Sequence, residues 1–116
     1  MPRYAILEHD HPTRHWDLLL ESGDVLLTWR LSAPPGCDAV DAEKAPDHRP
    51  LYLDYEGAIG GGRGRVTRWD GGTFEWERKE SERVWVRVAG ARLRGVLRLE
   101  CVDGAWRGHF TTDAGC

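Results

Sequence analysis

Residues 83–90 read RVWVRVAG. Successive side chains of an extended chain point to opposite faces, so Val84, Val86 and Val88 share one face while Trp85 and Arg87 take the other. That alternation marks a strand with one face on a core. Its neighbours repeat the theme. Upstream, the charged stretch WERKESERVW predicts an exposed hairpin. Downstream, ARLRGVLRLEC, a DG turn and AWRGHFTT follow at short spacing.

Towards the N-terminus, RYAILE, HWDLLLE and VLLTWRL read as three more strands, with SGD turning between the second and third. LYLDYEG reads as a strand, followed by the glycine-rich GAIGGGRG. RVTRW, a DGG turn and TFEWERKE come next. Ser32 to Asp47, rich in Pro, Ala and acids, has no period and is expected to be a long loop with at most one helical turn. No segment keeps a helical apolar period for three turns. About eight short strands broken by Gly and Asp-Gly predict an all-β, mainly antiparallel fold. The expected form is a small closed or nearly closed β-barrel with at most one or two short helical turns.

The 116 residues fit one domain, 1–116, with a single core. Hydrophobic residues make up 41% and charged residues 30%, as in an ordinary globular protein. No apolar run approaches the roughly 20 residues that cross a bilayer. The N-terminus lacks the apolar core and cleavage site of a signal peptide, so cytoplasm, no membrane and a monomer are the expectations. Cys37, Cys101 and Cys116 are widely spaced, which argues against a zinc knuckle and a disulfide framework; all three read as structural or incidental. A net charge of −3 excludes a global basic field for long duplexes, so a nucleic-acid role needs a local feature such as a strand end.

Chemistry concentrates near the start, in EHDHPTRHWD, residues 8–17. On a strand, His15 and Asp17 point one way and Trp16, Leu18 and Leu20 the other. The short connection Asp10–Arg14 favours antiparallel neighbours and returns His9 to His15. Two imidazoles and a carboxylate with open positions suit a catalytic divalent metal, manganese or zinc by ligand type. Solvated histidines beside a turn are the plainer alternative. His11, inside the turn and before Pro12, has a weaker claim.

A second group lies in PDHRPLYLDYEG, where His48, Pro50 and Tyr52 share strand parity and Pro50 can bend the path. His48 and Tyr52 suit phosphate binding or proton transfer, or are a loop histidine and a half-buried barrel tyrosine. In GGGRGRVTRW the P-loop ending is absent, and the glycines fit a bulge or tight corner. Arg63, Arg65 and Arg68 form the densest basic group there, an anion site around Arg63 or a solvated face.

Taken in order, EHD, HWDLLLE, DHRPLYLDYEG and VTRWDGGTFE resemble the motifs of the 3′-phosphoesterase domain of bacterial DNA ligase D, over about Tyr4 to Glu75. The resemblance implies a β-barrel that uses manganese (with zinc or another divalent ion as the alternative) to trim DNA primer 3′ ends. Such a domain removes a terminal ribonucleoside and then the remaining 3′-phosphate in repair by end joining. It implies metal binding by His9, His15 and Asp17, with His48 and Tyr52 at the scissile phosphate. Arg63, Arg14 and Arg65 are the candidate phosphate-binding residues. DNA or RNA-terminated DNA 3′ ends are the implied partners, with a separate DNA ligase or polymerase as a further one.

The departures bear on activity. Leu19 stands at the family's catalytic arginine and Ala33 at its lysine, and the loop before His48 is short. Loss of an Arg–phosphate contact can cost about 10²-fold in rate. Leu19 is expected on the ligand face, and Arg14, Arg30 and Arg63 are candidates to replace the lost charge. A weakened manganese-dependent phosphoesterase therefore stands against a catalytically inactive 3′-end-binding module, and against a metal hydrolase of another phosphoester.

Overall fold

The computed structural model describes residues 1–115. Its strands are β1 (Arg3–His9), β2 (His15–Ser22), β3 (Val25–Leu31), β4 (Val40–His48), β5 (Gly57–Ala58), β6 (Arg65–Lys79), β7 (Arg83–Gly90), β8 (Arg94–Val102) and β9 (Ala105–Thr112). A single 3₁₀ turn, η1, covers Pro50–Leu53. Every pairing is antiparallel, in the order β1-β2-β3-β4-β9-β8-β7-β6, and β1 pairs with β6 to close an eight-stranded barrel. The seam between β4 and β9 is short, Val40–Ala42 against Trp106–Gly108, so the rest of β4 pairs only with β3. β5 is a two-residue addition on β6. No described helix is long and apolar enough to cross a membrane.

Two-residue turns set the register of the outer hairpins. Gly23, at φ +63°, opens the turn between Ser22 and Val25, the position that asks for glycine. Asp103 and Gly104 both have positive φ, and join Val102 to Ala105. The barrel interior follows the alternation. Tyr4, Ile6, Leu18, Leu20, Trp29 and Leu31 meet Val84, Val86, Val88, Leu97 and Leu99 there.

Three expected boundaries differ. Val40–His48 is a strand rather than part of a loop: its small and charged side chains are half-buried or exposed throughout, so no apolar period announces it. It is held by backbone pairing to β3 and β9. LYLDYEG is not a strand. Pro50 starts η1, and only Gly57–Ala58 pairs with a neighbour. The expected DGG turn is also absent, because Arg65–Lys79 runs as one strand of 15 residues. Its first half pairs with β1 and its second with β7, and a bulge opposite Ile6 and Leu7 helps bend it round the barrel. At Gly72 a Cβ would overlap the Ala89 carbonyl, so glycine serves close backbone approach there rather than a turn.

Asp70 fixes this corner. Its buried carboxylate accepts from the Tyr4 hydroxyl at 2.6 Å and from the backbone N–H groups of Arg92 and Leu93. Burial first, and the Asp70 carboxylate second, push the Tyr4 phenol well above its usual range, so it stays a donor. Of the cysteines, Cys101 is a free thiol. The expectation for Cys116 lies outside the described residues.

A second apolar layer lies on the outer face of β1–β3. Ala5, Leu7, Leu19, Leu26, Leu53 and Val66 are buried in it, with Tyr52, Tyr55 and Ile59 packed alongside. Arg3 pairs with Asp54 at 2.5 Å, and Arg68 donates to the Leu53 carbonyl and, through its backbone, to Glu56. These bonds hold η1 and the segment after it over the layer.

Candidate metal centre

The residues that end β1 and begin β2 carry this layer's face to the rim of the barrel. His9 and His15 are direct cross-strand partners, Leu7 faces Asp17, and Ala5 faces Leu19. Directly opposed residues share a face, so His9, His15, Asp17 and Leu19 all lie on the outer side. Trp16, Leu18 and Leu20 turn inward. The connection of residues 10–14 returns His9 to His15 as the spacing requires, with ring centroids 4.9 Å apart.

One donor atom from each of His9, His15 and Asp17 lies within 4.8 Å of the others. Hydrogen bonds assign those atoms. His15 Nδ1 sits 2.9 Å from the Thr13 carbonyl, which can only accept, so Nδ1 carries the proton and Nε2 the lone pair. His9 Nε2 sits 2.7 Å from the Arg63 carbonyl, which leaves Nδ1 as its free nitrogen. His15 Nε2 and Asp17 Oδ1 are buried without a hydrogen-bond partner, and His15 Nε2 is 3.3 Å from Asp17 Oδ2. Orphaned buried polar atoms are uncommon and call for a reason. Two imidazole lone pairs and a carboxylate converging there fit a divalent cation. The carbonyls of Thr13 and Arg63 are the outer partners that metal-binding imidazoles generally use.

Beside the triad, His9, Asp17, His48, Tyr52 and Arg63 line a cavity of about 130 Å³ floored by Leu7 and Val66. The end of β4 and η1 bring His48 and Tyr52 to it, their rings 5.7 Å apart and edge to face. His48 Nδ1 lies 3.0 Å from both the Pro46 carbonyl and Thr28 Oγ1, while Thr28 donates to the Leu26 carbonyl. The Nδ1 proton is therefore committed, and Nε2 is the free nitrogen. Thr28, which the sequence reading did not single out, is fully buried and fixes the His48 ring through that contact. Its signal was a polar residue on the parity of Leu26.

The arginines divide. Arg63 Nε donates to the Gly60 carbonyl at 2.8 Å, which folds the glycine loop so that its side chain lines the His48 cavity. Asp10 staples that loop from the other side, accepting from the Arg65 N–H at 2.8 Å. That bond holds the Asp10 carboxyl below the usual carboxylate range. At Gly64, with φ +78°, a Cβ would collide with Asp10 and His11. Arg65 is exposed and lines neither cavity described here. Arg14 pairs with Glu8 at 2.5 Å and, with His15 and Arg30, lines a second cavity of about 200 Å³. Leu19 shares the ligand face but is fully buried beneath η1.

A family model for the DNA ligase D 3′-phosphoesterase domain matches residues 7–100. The chain is 32% identical over 117 residues to the multifunctional non-homologous end joining DNA repair protein LigD of Mycobacterium tuberculosis, covering 91% of this chain and 15% of that protein. It is 36% identical over 78 residues to the multifunctional non-homologous end joining protein LigD of Pseudomonas aeruginosa, covering 62% and 9%. The chain thus spans 15% or less of these relatives' length.

Proposed function

The chain belongs to the DNA ligase D 3′-phosphoesterase domain family, and on that premise we propose that it is a divalent-metal-dependent phosphoesterase of nucleic-acid 3′ ends. Its substrates in this reading are DNA primer ends that carry a terminal ribonucleotide or a 3′-phosphate, met in end-joining repair. The observation that carries the proposal is the orphaned pair His15 Nε2 and Asp17 Oδ1, within reach of His9 and beside the His48 cavity.

His9 through Nδ1, His15 through Nε2 and Asp17 would hold the ion, with Mn²⁺ our choice and Zn²⁺ or another divalent ion the alternative. When bound, it would supply Lewis-acid stabilisation of negative charge on a phosphate oxygen. The chain's own groups do the rest. His48 presents Nε2 to the cavity; protonated, it donates to a phosphate oxygen or to the departing ester oxygen. Tyr52 offers a hydroxyl beside it, and Arg63 sets a fixed positive charge where charge accumulates. The buried apolar layer beneath gives these groups a packed support.

Leu19 favours a second reading. As a buried apolar residue it offers the phosphate nothing, so the chain could bind 3′ ends and turn over slowly or not at all. One assay separates the two. Purified protein with Mn²⁺ is expected to release a 3′-ribonucleoside or phosphate from a primer–template, and His9→Ala to abolish release. Folded protein that binds the end without product in any divalent metal would establish the binding module instead.

A further inference from the structure

The Asp17 carboxylate has a second unsatisfied neighbour. In the β2–β3 register Asp17 faces Arg30, and on the far side of Arg30 stands Glu43 of β4. Arg30 Nε is buried without a hydrogen-bond partner, 4.0 Å from the equally unpartnered Asp17 Oδ1. That separation is too long for a hydrogen bond. Yet the side chain as a whole is 43% exposed, and it lines the cavity of about 200 Å³ on the His15 side of the triad. An arginine beside the Asp17 carboxylate, with an enclosed N–H that the aspartate does not satisfy and a side chain open to a cavity, is oriented for a ligand from solution.

We propose that Arg30 is a phosphate-binding residue of this site, gripping an oxygen of the substrate phosphate from the side opposite Arg63. The proposal rests on the metal-phosphoesterase reading above. A cation on the triad claims the Asp17 carboxylate, which weakens its pull on the guanidinium and leaves an oxyanion as the matching partner. Planar guanidinium N–H groups suit phosphate oxygens better than a lysine ammonium does. Arg14, on the same cavity, is already engaged by Glu8 and is 62% exposed, so Arg30 is the stronger of the two.

The test uses Arg30→Met, which keeps the apolar stem, and Arg30→Lys, which keeps the charge. Thermal unfolding checks that each is folded. Calorimetry measures Mn²⁺ affinity, and then the affinity of the Mn²⁺-loaded protein for inorganic phosphate. Arg30→Met is expected to lower phosphate affinity at least about tenfold, with Mn²⁺ affinity within about threefold, and Arg30→Lys to fall between. Should Arg30→Met fail to fold, a phosphate affinity lower in Arg30→Lys than in the unaltered protein supports the assignment, and equal affinity overturns it. Unchanged phosphate affinity in Arg30→Met overturns it as well. So does a parallel loss of Mn²⁺ and phosphate, which would make Arg30 a positioning residue for Asp17. Unaltered protein that binds Mn²⁺ but no phosphate sinks this inference alone; protein that binds no Mn²⁺ sinks the metal reading with it.

Discussion

Leu19→Ala is expected to cost about 3 kcal/mol of stability while sparing the metal site. Leu19 is fully buried against Ala5, Leu7, Leu26, Leu53 and Val66. Removing a buried leucine side chain forfeits roughly 1.5–3 kcal/mol of transfer free energy, and the cavity left behind adds to it. The neighbours belong to β1, β3, β6 and η1. The three strands are fixed by barrel pairing, so only η1 can sink into the gap, and the Arg3–Asp54 and Arg68–Leu53 bonds restrain it. The loss therefore falls within the usual 2–5 kcal/mol for such truncations. Urea unfolding followed by tryptophan fluorescence reads it: for a slope near 1.5 kcal/mol/M the midpoint drops by about 2 M. Mn²⁺ affinity should hold, since the ligands ride on the backbones of β1 and β2. A loss below about 1 kcal/mol would refute the argument that Leu19 is a core residue of a second layer.

Thr28→Val keeps the shape but removes the hydroxyl that holds His48 Nδ1. Turnover should fall between about tenfold and a hundredfold with Mn²⁺ affinity unchanged, read from single-turnover kinetics alongside a metal titration. An equal loss of metal binding would place Thr28 in another role. Asp10 should give an acid-side signature. Its folded carboxyl lies below the unfolded value near 3.9, so its contribution is fully present above that value and fades as pH falls through the lower, folded one. The stability gap between the unaltered protein and Asp10→Ala should stay flat above about pH 5 and close below pH 4. A gap that widens with acid would contradict the assigned bond.

The convergence of the candidate ligands was legible because it depends on spacing. A five-residue connection pairs His9 with His15, and strand parity then sends Asp17 to their side and Trp16 inward. The barrel was legible from alternation in residues such as Val84, Val86 and Val88. Other parts carried no such signal. Of Val40–His48 only Val40 and Ala42 pack on the core, and the charged residues that follow bury little, so two apolar contacts left no period to read. Pro50 ended an apparent strand by fixing its backbone for a 3₁₀ turn. The outer layer was hidden because Leu7, Leu19 and Leu26 look like the solvent side of a barrel strand until η1 covers them. Thr28, and the placing of the candidate Arg30 against Asp17, were within reach of a register argument. Once the turn pairs Ser22 with Val25, stepping back along β2 and forward along β3 sets Leu19 against Thr28 and Asp17 against Arg30.

Crystals soaked in Mn²⁺ and measured for anomalous scattering test the central claim most directly. The account predicts one strong peak within about 2.2 Å of His9 Nδ1, His15 Nε2 and an Asp17 oxygen. A peak bound elsewhere, or coordination through His9 Nε2 with its bond to the Arg63 carbonyl broken, would contradict it.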